Sequence, residues 1–278
     1  MASGVVRSPF GTESVDEVPL SNPPLVRVLA QIRFAKATEL WVDDSAARHF
    51  IAAMKSAYPI VDQKQETAFK IGPGGVEPVP ETNMLWQLES PDREWLISFG
   101  DAFFALTSQN YSSRTEFIGR LMSAWKVFTE SVDAIRSERI GIRYINRIAD
   151  SDAVDRLDML VRPEMIGESL APIGAKVKRL HSIGEAQYAL GEGEGFKARW
   201  GLLPPGGAFD PSVPTVDSPS WVLDLDAFVQ IPADAPSVAI DQISDRLHNL
   251  ATRAYRYFRW TVTDDFLVEF GGKLDGHS

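Results

Sequence analysis

A chain of 278 residues is long enough for one large domain or two small ones, with a sizeable core in either case. The net charge of -10, from 28 basic and 38 acidic residues, argues against nucleic-acid binding through bulk electrostatics but leaves room for a local basic patch. The absence of cysteine excludes disulfides, thiolate metal sites and cysteine nucleophiles, and it predicts a reducing cytoplasm as the location.

Residues 1–25 are predicted to form a flexible or loosely docked N-terminal arm. They are rich in Pro, Ser, Gly and acidic residues, show no periodicity, and contain no apolar core long enough for a signal peptide. No run of about 18 apolar residues follows later in the chain, so the sequence predicts no membrane-spanning helix.

The first structured half, residues 26–137, is predicted to follow the order β-α-β-β-β-β-α. Its opening strand alternates apolar residues with Arg27, Gln31 and Arg33. Its last element is a helix from about residue 112 to 132. The apolar residues of that helix recur in steps of three and four, which is typical of a helix laid on a sheet.

The second half, residues 138–278, is predicted to repeat this order. In its opening strand, 138–148, Arg139, Arg143 and Arg147 lie on one face, opposite an apolar face of Ile140, Ile142 and Tyr144. Two short strands are predicted over 221–225 and 227–231, before a closing helix of about 237–258. The segment Trp95–Phe103 is similar to Trp221–Phe228, and this similarity supports an internal duplication.

The predicted fold class is therefore α+β. We expect a duplicated β-α-β4-α unit that forms a curved, mainly antiparallel sheet with long helices on one face. The element order of each half resembles that of TATA-binding-protein-like folds, which leave the other sheet face open. This symmetry predicts that the two opening strands are neighbours at the centre of the sheet. The resemblance by itself implies nothing about function.

A second resemblance lies in three motifs: Pro23-Pro24-Leu25-Val26, the central Arg139-Ile-Gly-Ile-Arg-Tyr-Ile-Asn-Arg147, and the closing Leu247-His248 with Phe258 and Thr263-Asp264. With these motifs the chain resembles a sporadically distributed family of bacterial proteins that has no established biochemical activity. Such a distribution implies a setting in mobile elements, toxin–antitoxin modules or phage defence. That setting follows from the resemblance alone and from no residue of this chain.

No catalytic, metal or cofactor motif is predicted. The four histidines, at positions 49, 181, 248 and 277, stand far apart on different predicted elements. The glycine-rich stretches 72–75 and 191–195 do not lie between a strand and a helix, so we interpret them as turns and not as phosphate loops.

The arginine-bearing strands are the chemically unusual feature. We predict that an anion-binding sheet face carries Arg27, Gln31, Arg33, Arg139, Arg143 and Arg147. The competing interpretation is that these arginines form ion pairs with acidic residues of neighbouring strands, such as Glu66, Glu89 or Glu185. Because Tyr144 falls on the opposite face and supplies no stacking platform, a nucleic-acid partner is not favoured.

A cluster at the end of the last helix, Arg256, Arg259 and Trp260, is predicted to form a protein interface or to anchor the C-terminus. Our first hypothesis is a non-enzymatic binding or regulatory protein whose arginine face engages a protein partner or an anionic ligand. The alternatives are an enzyme acting on a phosphorylated small molecule at that face, and a cavity for a hydrophobic ligand beneath Trp125 and Phe128.

Overall fold

The computed structural model describes residues 6–37, 44–72, 75–132, 135–208 (without 170, 172, 175 and 178) and 214–274; for 65–84 only the backbone is described. Within these residues the strands are β1 (Leu25–Phe34), β2 (Ile60–Gly72), β3 (Gly75–Glu89), β4 (Trp95–Phe99), β5 (Phe103–Ser108), β6 (Ser137–Ile148), β7 (Ser182–Gly191), β8 (Glu194–Leu203) and β9 (Ser220–Gln230). The helices are α1 (Ser45–Met54), α2 (Arg114–Ser131), α3 (Ser151–Asp155), α4 (Leu157–Leu160), α5 (Pro163–Ile166), α6 (Ile240–Thr261) and α7 (Asp264–Glu269).

The described strands form one sheet in the order β2-β3-β4-β5-β1-β6-β9-β8-β7. The class is therefore α+β, with helices packed on a large, open antiparallel sheet. The two opening strands, β1 and β6, are neighbours, as the duplication predicts. In each half the opening strand also lies beside the last strand of that half, β5 in the first and β9 in the second.

The element order of the second half differs from the prediction in its strands and in its helices, since α3, α4 and α5 stand where one helix was predicted and α7 follows α6. The residues predicted as two strands, 221–225 and 227–231, form the single strand β9. Asp226, which the sequence comparison aligned with the turn at Asp101, is part of that strand and is partly buried. The described second half thus has three strands after its short helices α3, α4 and α5, where the first half has four after α1.

The chain divides into two compact units. One unit comprises Leu29–Ile142 and Val229–His248. Its core is a cluster of aromatic rings in which Phe128 of α2 packs against Phe50, Phe104 and Trp125, with ring centroids 4.9 to 5.6 Å apart. Helix α2 begins where the Ser113 hydroxyl accepts a hydrogen bond from the Glu116 amide, a standard N-cap.

The other unit comprises Met1–Val28, Arg143–Phe228 and Asn249–Ser278. Here Tyr257 of α6 stacks on Phe196 of β8, with ring centroids 4.7 Å apart. Burial raises the pKa of the Tyr257 hydroxyl well above its usual range, because desolvation disfavours the phenolate. The candidate site lies in this unit. Among the helices of the described residues, none is long and apolar enough to cross a membrane.

Candidate functional site

Three strands of the Arg143–Phe228 segment bring two arginines onto one aspartate. Arg143 of β6 donates to Asp224 of β9 from Nε to Oδ1 at 2.6 Å and from Nη2 to Oδ2 at 2.8 Å. Arg199 of β8 donates to the same Oδ2 from Nε at 2.9 Å and from Nη2 at 2.7 Å. The Asp224 side chain is 2% exposed, against 15% and 18% for the two arginines. A buried carboxylate bound by two guanidinium forks is a rigid arrangement that fixes the relative positions of the three strands.

This cluster decides between the two interpretations for Arg143. The charge of Arg143 is matched by an acidic residue of the neighbouring strand β9, as the ion-pair interpretation predicts. The acid is Asp224 and not one of the three proposed from the sequence. Glu89 binds Arg93 and Glu185 binds Lys197, while the side chain of Glu66 lies outside the described residues.

Arg147, four residues further along the same face of β6, has a different environment. Its side chain is buried, with the residue 4% exposed, and Nη2 donates to the carbonyl oxygen of Gly207 at 3.0 Å. Nε and Nη1 have no hydrogen-bond acceptor among the described residues. Burial lowers the pKa of this guanidinium, because desolvation disfavours its charged form. A buried donor without an acceptor costs about 1–3 kcal/mol, and more when it is charged.

Ser220, the first residue of β9, lies beside Arg147. Strands β6 and β9 are antiparallel. The Asn146 side-chain amide donates to the Leu223 carbonyl, and further along β6 the Ser218 hydroxyl donates to the Ala149 carbonyl. Ile145 packs against Val222 on the face that carries Arg143 and Asp224. Arg147 is two residues after Ile145 on β6, and Ser220 is two residues before Val222 on β9. In antiparallel strands these two residues therefore lie opposite each other on the same face. The Ser220 hydroxyl is buried and has no partner among the described residues.

Arg27 does not join this face, contrary to the prediction. Val26 packs against the cluster of Ile145, Leu203 and Val222, so it shares the face of Arg143 and Arg147. Because successive side chains of a strand alternate, Arg27 points to the opposite face. The prediction failed because β6 has apolar residues on both of its faces. The pairing register between β1 and β6 decides which face of β6 lies on the side of Val26, and the sequence alone does not specify that register.

The remaining candidates, Gln31, Arg33 and Arg139, lie in the other compact unit. Gln31 and Arg33 alternate with the buried residues of β1, Gln31 half-buried and Arg33 exposed. Arg139 is half-buried near the start of β6. For Gln31, Arg33 and Arg139, membership of the anion face stays a prediction, and the residues of that face in the unit of the Asp224 cluster are Arg143 and Arg147. At the rise of a strand they stand about 13 Å apart.

The predicted interface cluster on α6 binds the chain's own arm. Arg256 donates from Nε to the Ser8 carbonyl at 3.3 Å, and from its two Nη groups to the carbonyl and carboxylate of Glu13. Arg259 donates to the Asp16 carbonyl at 3.0 Å. Trp260 packs at 5.4 Å from Tyr257 and lies under the Arg162 guanidinium.

Sequence reasoning did not single out Asp224, Arg199 or Ser220. The sequence does contain a signal for Asp224, which lies within the apolar run Trp221-Val-Leu-Asp-Leu. An acidic residue in a buried strand is costly unless a basic residue pairs with it, so this position indicates an ion pair. No sequence signal marks Ser220, whose position follows from the strand register. In the part of the chain that the structure describes, no group of three or more His, Asp and Glu side chains is placed to hold a metal ion.

Comparisons with known proteins identify no family for this chain. No protein-family model matches it, and no curated protein does. Among solved structures, the crystal structure of DynU16, a protein of the dynemicin biosynthetic locus, covers 85% of this chain and 97% of its own, with 13% identity and a TM-score of 0.15. A TM-score this low carries no argument about fold or function.

Proposed function

We propose that this protein is a binding protein that takes up a small anionic group, a phosphate or a carboxylate, at Arg147 and Ser220. The observation that carries this proposal is the buried Arg147 guanidinium, whose Nε and Nη1 have no acceptor within the described residues. An anion would supply both the missing acceptors and the compensating charge. Charge-assisted hydrogen bonds of this kind are about twice as strong as neutral ones.

The Asp224 cluster supports the site without being part of it. The two forks onto Asp224 hold β6, β8 and β9 together about 13 Å from Arg147. Between the cluster and Arg147 lies the apolar contact of Ile145, Leu203 and Val222. A site held by packed strands is more precisely positioned than one on loops. We therefore assign Arg143 a structural role, and Arg147 the role of ligand binding.

The burial of Arg147 favours a small ligand, or a single side chain, over a flat macromolecular surface. At 4% exposure, its guanidinium is out of reach of a phosphate backbone that lies on the sheet. The net charge of -10 further disfavours nucleic acid. A protein partner, a cytoplasmic location and a setting in defence or toxin–antitoxin systems stay predictions from the sequence.

Thermal unfolding with added anion tests the proposal. The wild-type chain is titrated with inorganic phosphate and separately with acetate, against sodium chloride of matched ionic strength. A ligand that binds the folded state raises stability by RT ln(1 + [L]/Kd), about 2.7 kcal/mol at one hundred times Kd, which is several degrees in Tm. We expect this rise with at least one probe, and its loss in Arg147→Met.

The matched control is Arg156→Met, which removes an exposed arginine bonded to Glu269 and leaves the site intact. A second variant, Asp210→Asn, tests whether the chain itself supplies an acceptor for Arg147. Asp210 follows Gly207 in the sequence and is outside the described residues. If the wild type shows no rise while Asp210→Asn does, then the chain itself supplies the counter-ion and the proposal is wrong. An equal rise in wild type and Arg147→Met would contradict it as well.

A further inference from the structure

The N-terminal segment is bound to the rest of its unit as a peptide is bound in a groove. Residues 6–24 contain no helix or strand, and they lie against α6, β7 and β8. We propose that this groove is a peptide-recognition site, occupied in cis by the arm, and that it accepts an extended segment with an aromatic residue three positions before a glutamate. This inference does not depend on the Arg147 site.

The aromatic anchor of the arm is Phe10. Its ring centroid lies 4.8 Å from that of Tyr188, 5.4 Å from Phe196 and 5.7 Å from Tyr257. The Phe10 ring meets the Tyr188 and Phe196 rings edge to face, an arrangement that is favourable beyond the burial of area alone. Large aromatic side chains in such pockets carry most of the affinity in peptide and protein interfaces.

The polar contacts of the groove are made mainly to the arm's main chain. Arg162 donates to the carbonyl of Val6 at 2.8 Å. Arg256 and Arg259 donate to the main-chain carbonyls of Ser8, Glu13 and Asp16. The Tyr255 hydroxyl accepts from the Val18 amide at 2.8 Å. Recognition of main-chain groups, with pockets for a few side chains, is how extended peptides are bound in general.

One side-chain contact adds charge specificity. The Glu13 carboxylate accepts from Arg256, a residue that is 8% exposed. The pKa of Glu13 is held below its ordinary value, first by its own backbone amide and then by Arg256. A glutamate three residues after the aromatic anchor is therefore the second requirement for a segment that binds here.

The arm is suited to exchange because little regular structure holds it. Many of its side chains are exposed, among them Thr12, Glu13 and Ser14. Segments outside regular secondary structure open locally at a lower free energy than the core helices and strands on which they pack. When the arm leaves, the groove presents buried arginines and an aromatic pocket to any chain of the same chemistry, in competition with the tethered arm.

The test uses a fluorescein-labelled peptide with the sequence of residues 6–18, and full-length chains, with binding followed by fluorescence anisotropy. In the wild type the tethered arm competes, so the peptide binds weakly. In the double variant Phe10→Ala, Glu13→Ala we expect binding about ten-fold tighter or more. In that background, Arg256→Ala should lower the affinity at least as much, while Arg253→Ala, which removes an arginine of the same helix bonded to Glu194, should leave it unchanged.

Hydrogen exchange of the double variant shows whether the arm has been released while the fold is retained. Three results together support the proposal. The arm of the double variant is released, the peptide of residues 6–18 binds that variant tightly, and a peptide that carries the Phe10→Ala change binds it weakly. Release without peptide binding, or equal binding of a scrambled peptide, overturns it. Continued protection of the arm in the double variant also overturns it, since Phe10 and Glu13 would not be the anchors.

Discussion

Arg143 donates to both carboxylate oxygens of Asp224, at 2.6 and 2.8 Å, from an adjacent strand of the sheet. The arginine-bearing strand β6 thus contributes one residue to a structural ion cluster. Arg147, four residues further along the same face, is buried without a carboxylate partner in the described part of the chain. The two arginines are expected to differ in how their substitution changes the free energy of unfolding.

Replacing Asp224 by Ala leaves Arg143 and Arg199 partly buried without their shared carboxylate. Removing one partner of a buried ion pair costs about 3–5 kcal/mol, so we expect a loss of this size in the free energy of unfolding. Urea denaturation measures it. Asp217→Ala, at an exposed aspartate of the same unit, should change the value by less than about 0.5 kcal/mol. A loss below about 1 kcal/mol for Asp224→Ala would show that the cluster is not structural.

Replacing Arg147 by Met removes a buried charge and keeps an unbranched side chain. In buffer without phosphate or carboxylate, we expect the free energy of unfolding to stay within about 1 kcal/mol of the wild type, or to rise, because unmade hydrogen bonds and desolvation are relieved. Arg143→Met, measured in parallel by urea denaturation, should be clearly destabilising. If both substitutions cost the same, Arg147 is paired within the folded chain.

Two glycines, Gly201 of β8 and Gly119 of α2, are expected to respond to alanine substitution with opposite signs. Gly201 adopts φ +154°, and a Cβ there would lie 2.0 Å from the Ser182 carbonyl oxygen of β7. Since that atom is backbone, Gly201→Ala should destabilise the fold by about 1–3 kcal/mol through overpacking and strain. Gly119, within α2, has nothing within 4 Å of an added Cβ. Gly119→Ala should therefore stabilise by up to about 1 kcal/mol. Thermal unfolding of both variants checks the two signs.

The contact between Glu13 and Arg256 makes docking of the arm dependent on pH. The folded-state pKa of Glu13 is lowered from its ordinary 4.5, first by its own backbone amide and then by Arg256. A lowered pKa means that this contribution to docking is complete above pH 4.5 and is lost as the pH falls through the folded value. We expect proteolysis within residues 6–18 to be faster at pH 3.5 than at pH 7 in the wild type. In Glu13→Gln this difference should be smaller; an unchanged difference would contradict the assignment.

Much of the fold could be predicted from periodicity and element order. The alternation of β1 and β6 and the apolar spacing of α2 led to the correct class and to the adjacency of the two opening strands. Strand β9 was predicted as two strands, 221–225 and 227–231, that are separated by Asp226. In the structure Asp224 is paired with arginines, and that pairing allows a charged residue to remain inside a buried strand.

The candidate site was predicted only in part, for a physical reason. Which arginines share a face depends on the pairing register between strands, and a sequence with apolar residues on both faces of β6 does not specify it. Arg27 was therefore placed with Arg147 although Val26 occupies that face. Arg256 and Arg259 were predicted from the sequence to form an interface, and in the structure they bind the N-terminal arm. The bound segment, residues 6–18, has no periodicity and could not be matched to these arginines from the sequence.

The most direct test of anion binding at Arg147 is the side-chain Nε–H resonance of that residue in a proton–nitrogen NMR spectrum, assigned by its loss in Arg147→Met. Inorganic phosphate or acetate is added at constant ionic strength. We predict a saturable downfield shift of the Arg147 resonance with at least one of the two anions, while that of Arg143, already bonded to Asp224, stays in place. An Arg147 resonance that moves with neither anion, or moves no more than that of Arg143, would contradict the proposal.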